Sequence, residues 1–206
     1  MASCVNRYVC RLQHTYMTIS SALLQAAQRG DRVAQSQLYR QCFPVLMAVC
    51  LRYRRDEGEA LAALNDGFLK ILKNLDRYPP EAPFEAWIRR IQINTVIDVF
   101  RREAKWRDNV LLSEKMEQQS DSRGVDWNEA DRLFDAQQLE NLLQRLPPVS
   151  RQVFNLFALD GFSHAEISAM LDISEGTSKW HVSFARSQLR AWIKAGLEDT
   201  TSISVH

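Results

Sequence analysis

The sequence predicts an all-α protein of two small helical domains joined by an acidic linker. Three observations carry this. Apolar residues recur at three- and four-residue spacing along most of the chain, and no sustained alternation of apolar and polar residues marks strands. Glycine is scarce, seven in 206 residues. The helical periodicity lapses over 108–134, where Gln, Ser, Asp and Glu dominate, and then resumes. The length fits one domain or two small ones, and a composition of 46% hydrophobic and 25% charged residues is that of a soluble globular protein.

Element by element, SSALLQAAQRGD carries Leu23, Leu24 and Ala27 on one side and stops at Gly30–Asp31. RVAQSQLYRQCFPVLMAVCLRY is helical, with Pro44 expected to kink or divide it. DEGEALAALNDGFLKILKNL places Leu61, Leu64, Phe68, Leu69 and Leu72 on one stripe. Its acidic start and lysine-bearing end suit the helix dipole. The prolines of DRYPPEAP force a loop. PFEAWIRRIQINTVIDVFRREAKW is a long helix whose expected buried face is Phe84, Trp87, Ile88, Ile91, Thr95 and Val99. After the linker come QQLENLLQRL, a break at Pro147–Pro148, SRQVFNLFALDG, and two more helical patterns over 163–189. The predicted layout is an N-terminal extension at 1–19, a first domain at 20–107, a linker at 108–135, a second domain at 136–196, and a polar tail at 197–206 expected to fray. Residues 1–16 read as a disordered extension or an upstream start choice, because ordered patterning begins at Met17.

The net charge of +1 does not by itself announce a nucleic-acid binder. Its distribution says more. From Arg89 to Arg107, six basic residues stand against Asp98 and Glu103, whereas from Ser113 to Glu140 eight acidic residues stand against three basic ones. A basic block beside an acidic one suggests two surfaces separated by a solvated linker; a merely balanced surface is the alternative. The four cysteines form no CxxC pair and have no histidine cluster beside them. No zinc site is therefore expected, and Cys42 and Cys50 read as reduced core residues. No apolar run is long enough for a membrane span and no signal peptide is evident, which predicts a cytoplasmic protein without direct membrane insertion.

In SHAEISAMLDISEGTSKWHVSFARSQL, Ser163 and Glu166 have capping-box spacing, Asp172-Ile173-Ser174 turns the chain, and Ser174 can cap the next helix. Two helices on so short a turn predict a helix-turn-helix. On a wheel, Ser178, Val182, Ala185 and Leu189 form the core stripe of the second helix. Trp180, Ser183, Phe184 and Ser187 fall opposite, flanked by Lys179, Arg186 and Arg190. Such a face would meet base edges in a major groove. Docking of Trp180 and Phe184 on another helix or the C-terminal tail is the alternative, and the wheel does not choose between them.

Two further stretches supply context. LPPVSRQVFNLFALDGFSHAEISAMLDISEGTSKWHVSFARSQLR resembles conserved region four of the extracytoplasmic-function sigma factors of bacterial RNA polymerase. DGFLKILKNLDRY…FEAWIRRIQINTVIDVFRR is similar to their region two, with its "FxxWLxRIAxNxxxDxxRR" pattern. The resemblance covers about 20–195, with both motif sets in the family's order around the linker.

It implies a subunit that binds core RNA polymerase at the clamp and the flap and recognises the minus-ten and minus-thirty-five promoter elements. It also implies DNA melting and an anti-sigma partner. By resemblance, Asp66, Phe68, Leu69 and Lys70 fall on the clamp-docking helix, with Phe68 and Leu69 mostly core and Asp66 and Lys70 at the interface. Tyr78, the PPEAP loop and Asn94 match the pocket for a flipped minus-ten base; an amide offers both a donor and an acceptor. Arg89, Arg90, Arg101 and Arg102 are expected to hold phosphates of the opening strands. Ser174, Lys179, Trp180, Ser183, Phe184 and Arg186 are expected at the minus-thirty-five element. The family commonly has Arg at the positions of His181 and Phe184 and an aliphatic at Ser178, so this reading helix is less basic than usual.

No cofactor and no chemistry of its own are expected, since Asp66, Asp98 and His164 form no catalytic constellation. A dimeric helix-turn-helix regulator would not need the region-two pattern. An anti-sigma or adaptor protein would not need Asn94 together with the basic helix.

Overall fold

The computed structural model describes residues 17, 19–54, 56–102 and 136–203, with side chains of the last stretch described over 141–195. All regular structure among these residues is helical. The chain divides into two compact units, Met1–Arg102 and Glu103–His206. The expected linker and residues 1–16 lie outside the described residues.

Unit one holds α1 (Ser21–Gln28), α2 (Arg32–Tyr53), α3 (Glu57–Lys73), a 3-10 turn (Leu75–Arg77) and α4 (Phe84–Arg102). Each of the first three helices is opened by a side-chain cap. Ser20 accepts from the Leu23 N–H, Asp31 from Val33 and Ala34, and Asp56 from Glu59. Gly30, at φ +84°, provides the left-handed residue that separates α1 from α2. α2 runs undivided through Pro44, contrary to expectation. The missing hydrogen bond is offset by packing, because Leu38, Cys42, Leu46, Val49 and Cys50 are fully buried on the same helix.

α2, α3 and α4 pack mutually. The buried face of α3 is Ala60, Ala63, Leu64, Gly67, Phe68 and Ile71. The predicted stripe was centred on the leucines and is therefore corrected: Leu61 and Leu69 are 40% and 54% exposed. Small residues line the closest approach. A Cβ at Gly67 would stand 2.0 Å from Gln92 Oε1 of α4. Gln92 is fully buried, and its Nε2 donates to the Ala63 carbonyl at 2.8 Å and to Cys50 Sγ at 3.1 Å. One amide thus ties α4 to α2 and α3, while its Oε1 has no hydrogen-bond partner among the described residues. Cys42 and Cys50 are free thiols, each pushed up to about 12 by burial.

Unit two holds α5 (Ala136–Arg145), α6 (Pro148–Phe154), a wide π turn (Asn155–Leu159), α7 (His164–Leu171) and α8 (Glu175–Ile203). Leu146, Phe154, Ala185 and Leu189 form a buried cluster, with Leu142, Leu143 and Trp192 packed on it. Arg145 lies 4.5 Å over the Trp192 ring. α8 continues past Gly196 to Ile203, where a fraying tail was expected. Residues 197–203 contain no proline, so nothing there obliges the helix to stop. No helix among the described residues is long and apolar enough to cross a membrane.

Candidate nucleic-acid interface

α4 has a sharply divided surface. Ile88, Gln92, Ile93, Thr95, Val96 and Ile97 are buried. Arg90, Asn94, Asp98, Arg101 and Arg102 are exposed and span an arc of about 120° on the wheel. Four of the sequence-predicted residues are thereby brought onto one face, with Asp98 among them. Arg89 is not one of them. It lies on the other side of the helix, half-buried, with Nη2 and Nε donating to Glu85 Oε1 at 2.7 and 3.0 Å. The expectation that Arg89 stands ready for a phosphate is corrected, because its charge is already met by a carboxylate one turn away. The i,i+4 spacing of Glu85 and Arg89 was visible in the sequence.

At the start of α4, the Tyr78 hydroxyl donates to the Ala82 carbonyl at 2.6 Å, and Ala82 N–H donates to Pro79 at 3.1 Å. The proline loop is thus folded into a closed turn. Tyr78 packs edge-on against Phe84 at 5.1 Å and against Trp87 at 5.3 Å. Tyr78 and Trp87 are half-buried, so the phenol serves as one wall of an aromatic cluster rather than as a free stacking ring.

The outer face of α3 carries Leu61, Leu69 and Asp66, all exposed. Leu69 is therefore not a core residue, whereas Phe68 is, at 6% exposure. Lys70 lies one turn after Asp66, on the side of α3 that borders α4. Its Nζ lies 3.2 Å from Asp98 Oδ2 of α4.

In unit two the capping box is complete: Ser163 Oγ accepts from Glu166 N–H, and Glu166 Oε2 accepts from Ser163 N–H. Asp172, at φ +58°, makes the left-handed turn, and Ser168 Oγ donates to the Ile173 carbonyl at 2.5 Å. Ser174 accepts from Thr177 N–H at 2.9 Å and opens α8. The core stripe is as predicted, with Ser178, Val182, Ala185 and Leu189 all buried.

Trp180 departs from the wheel. It is only 9% exposed, stacked on Phe184 at 5.1 Å and 14° and set edge-on to His181 at 4.9 Å. The outward position of its Cα does not decide its burial, because the indole is long enough to lie along the helix surface. Phe184 is half-buried above it. The exposed positions are Lys179, Ser187 and Arg190, with Ser183 half-buried between them. Lys179 is 3.8 Å from Glu175. Arg186 is half-buried too, with its guanidinium 5.6 Å over Phe157, and is thereby drawn into the packing of the unit. Phe157 in turn stacks on His164 at 4.4 Å.

Two histidines that the sequence left unassigned are structural. His181 is buried and bonded to Ser150 Oγ at 2.9 Å, and burial lowers it to about 4. His164 Nδ1 meets Ser178 Oγ at 2.9 Å; burial and then the charge of Lys179 hold it below its ordinary value. From α8, His181 thus reaches α6 and Ser178 reaches α7. Among the described residues no group of His, Cys, Asp and Glu is arranged to hold a metal ion.

Residues 38–107 match the model of sigma-70 region 2, and residues 136–189 match that of sigma-70 region 4. ECF RNA polymerase sigma factor SigM of Mycobacterium tuberculosis is 28% identical over 173 residues, 82% of each chain. RNA polymerase sigma factor NccH of Alcaligenes xylosoxydans xylosoxydans is 26% identical over 180 residues, 86% of this chain and 96% of that one. A solved structure of CnrH in complex with the cytosolic domain of CnrY is similar at 25% identity and a TM-score of 0.44, covering 84% of this chain and 96% of CnrH. With both sigma regions present in order, the chain belongs to the extracytoplasmic-function family of RNA polymerase sigma factors and is a non-enzymatic transcription-initiation factor.

Proposed function

We propose that this chain is a dissociable, cytoplasmic sigma factor that docks on core RNA polymerase and melts the minus-ten element with α4 while α8 reads the minus-thirty-five element. The observation that carries this reading is the exposed arc of α4. It gathers Asn94 with Arg90, Arg101 and Arg102 on one side, above a core that holds the helix rigid through Gln92. Arginines hold strand phosphates, and an exposed amide pairs with the edge of an extruded base. Tyr78 shapes the pocket wall through its bond to Ala82. Asp66, with Leu61 and Leu69, supplies the clamp-docking face, and unit two meets the flap.

On α8, Lys179, Ser183 and Phe184 are the base-reading positions. Ser174 at the helix start, together with Arg186, approaches the backbone. Trp180 supports Phe184 from beneath. An anti-sigma factor that covers these surfaces completes the proposal. Run-off transcription with core polymerase tests it: specific initiation at a promoter that depends on both elements is expected. Transcription no different from core enzyme alone would overturn it.

A further inference from the structure

The exposed arc of α4 contains a carboxylate where a nucleic-acid strand would run. Asp98 lies one turn beyond Asn94 and one turn before Arg102. Left alone, it would repel the phosphates that Arg90, Arg101 and Arg102 attract. It is not left alone. Lys70 reaches from α3 to place its ammonium 3.2 Å from Asp98 Oδ2, and the two side chains are 45% and 50% exposed. Arg102 folds back over the same turn, its Nε donating to the Asp98 carbonyl at 3.3 Å. Lys70, one turn after Asp66 on α3, thereby delivers its charge to the face of α4.

We propose that Lys70 is a positioning and charge-neutralising residue of the nucleic-acid face, paired with Asp98, and not a polymerase contact as its helix would suggest. The pair makes the path from Arg90 to Arg101 electrostatically continuous. It also holds the ammonium where an arriving phosphate can share it with the carboxylate. This rests on the reading of α4 as the strand surface. A carboxylate masked by a partner suppresses binding of arbitrary polyanions less than a bare one does, so the pair tunes strand affinity through a single contact between helices.

The test is holoenzyme binding to a forked promoter fragment with a single-stranded minus-ten segment, measured across a salt series beside the affinity of each variant for core polymerase. Lys70→Gln is expected to weaken fork binding about fivefold at low salt, with the difference shrinking as salt rises, and to leave core affinity unchanged. Asp98→Asn releases the ammonium and is expected to tighten fork binding and steepen the salt dependence. The double variant Lys70→Gln/Asp98→Asn should recover much of the loss, because no bare carboxylate remains. Thermal melts of the free proteins separate these effects from folding, and a surface pair of this kind should shift them little. Weakened core affinity in Lys70→Gln with unchanged fork binding would overturn the inference. So would a Lys70→Gln loss that Asp98→Asn does not relieve. If Arg101→Ala also leaves fork binding and its salt dependence unchanged, the reading of α4 itself fails; if Arg101→Ala acts and Lys70→Gln does not, only the role of Lys70 fails.

Discussion

In the proposed reading both units present a helix to DNA, and they do so with different interiors. In unit one a small-residue seam at Ala60, Ala63 and Gly67 lets α3 approach α4 closely, and one buried amide, Gln92, fastens the joint. The outer arc of α4 is then left to charged and amide side chains. In unit two the corresponding helix, α8, is tied to its neighbours by two histidine bonds, His181 to Ser150 of α6 and Ser178 to His164 of α7. Its exposed Lys179, Ser187 and Arg190 carry fewer charges than Arg90, Asp98, Arg101 and Arg102 on α4. On the proposed reading, unit one is expected to supply most of the salt-dependent affinity and unit two most of the sequence discrimination.

The sharpest way to break this contrast is Trp180→Ala. A buried indole stacked on Phe184 should cost about 3 kcal/mol of unit-two stability on truncation, at the lower end of the range for large aromatics because its edge remains accessible. Urea unfolding of unit two measures it. A variant as stable as the parent would return Trp180 to the solvent face.

The histidine contribution is of similar size and has a defined pH window. His181 is lowered to about 4 in the folded protein from an ordinary value near 6.5. Between these values the unfolded chain binds a proton that the folded chain refuses, so stability rises with pH across this window. The contribution is full above about 6.5 and is lost as pH falls toward 4, amounting to about 3 kcal/mol in all. Replacing His181 with Gln should flatten that dependence in unit two and leave unit one unaffected. An unchanged pH profile would contradict a buried neutral imidazole.

The smallest effects distinguish arginines on a single helix. Arg101→Ala should weaken promoter binding and lower the slope of log affinity against log salt by roughly one. Arg89→Ala should leave the slope unchanged, because Glu85 already neutralises that guanidinium. Equal slopes for both variants would dissolve the division of α4 into two faces.

Much of this was legible in the sequence. The starts of α7 and α8 followed from the Ser163–Glu166 capping box and from Ser174, and the core stripe of α8 followed from Ser178, Val182, Ala185 and Leu189. Periodicity failed where side-chain size and Cα direction point to different conclusions. Leu61 and Leu69 drew the predicted stripe of α3 toward themselves, although the tight packing belongs to alanines and a glycine. Trp180 was read by the direction of its Cα alone. The partners of Lys70 and Gln92 come from other helices, and no pattern within one helix reports them. The i,i+4 pairing of Glu85 with Arg89 was readable but outweighed by the resemblance that cast Arg89 as a phosphate ligand.

Permanganate reactivity of unpaired thymines in the minus-ten element, with core polymerase and either the parent chain or Asn94→Ala, tests the central claim most directly. Loss of one amide-to-base contact is expected to reduce open-complex occupancy by roughly 5- to 150-fold, the equivalent of about 1–3 kcal/mol, while affinity for core polymerase is retained. Undiminished thymine reactivity with Asn94→Ala on a linear promoter would contradict the assignment of the α4 arc as the surface that captures the opened strand.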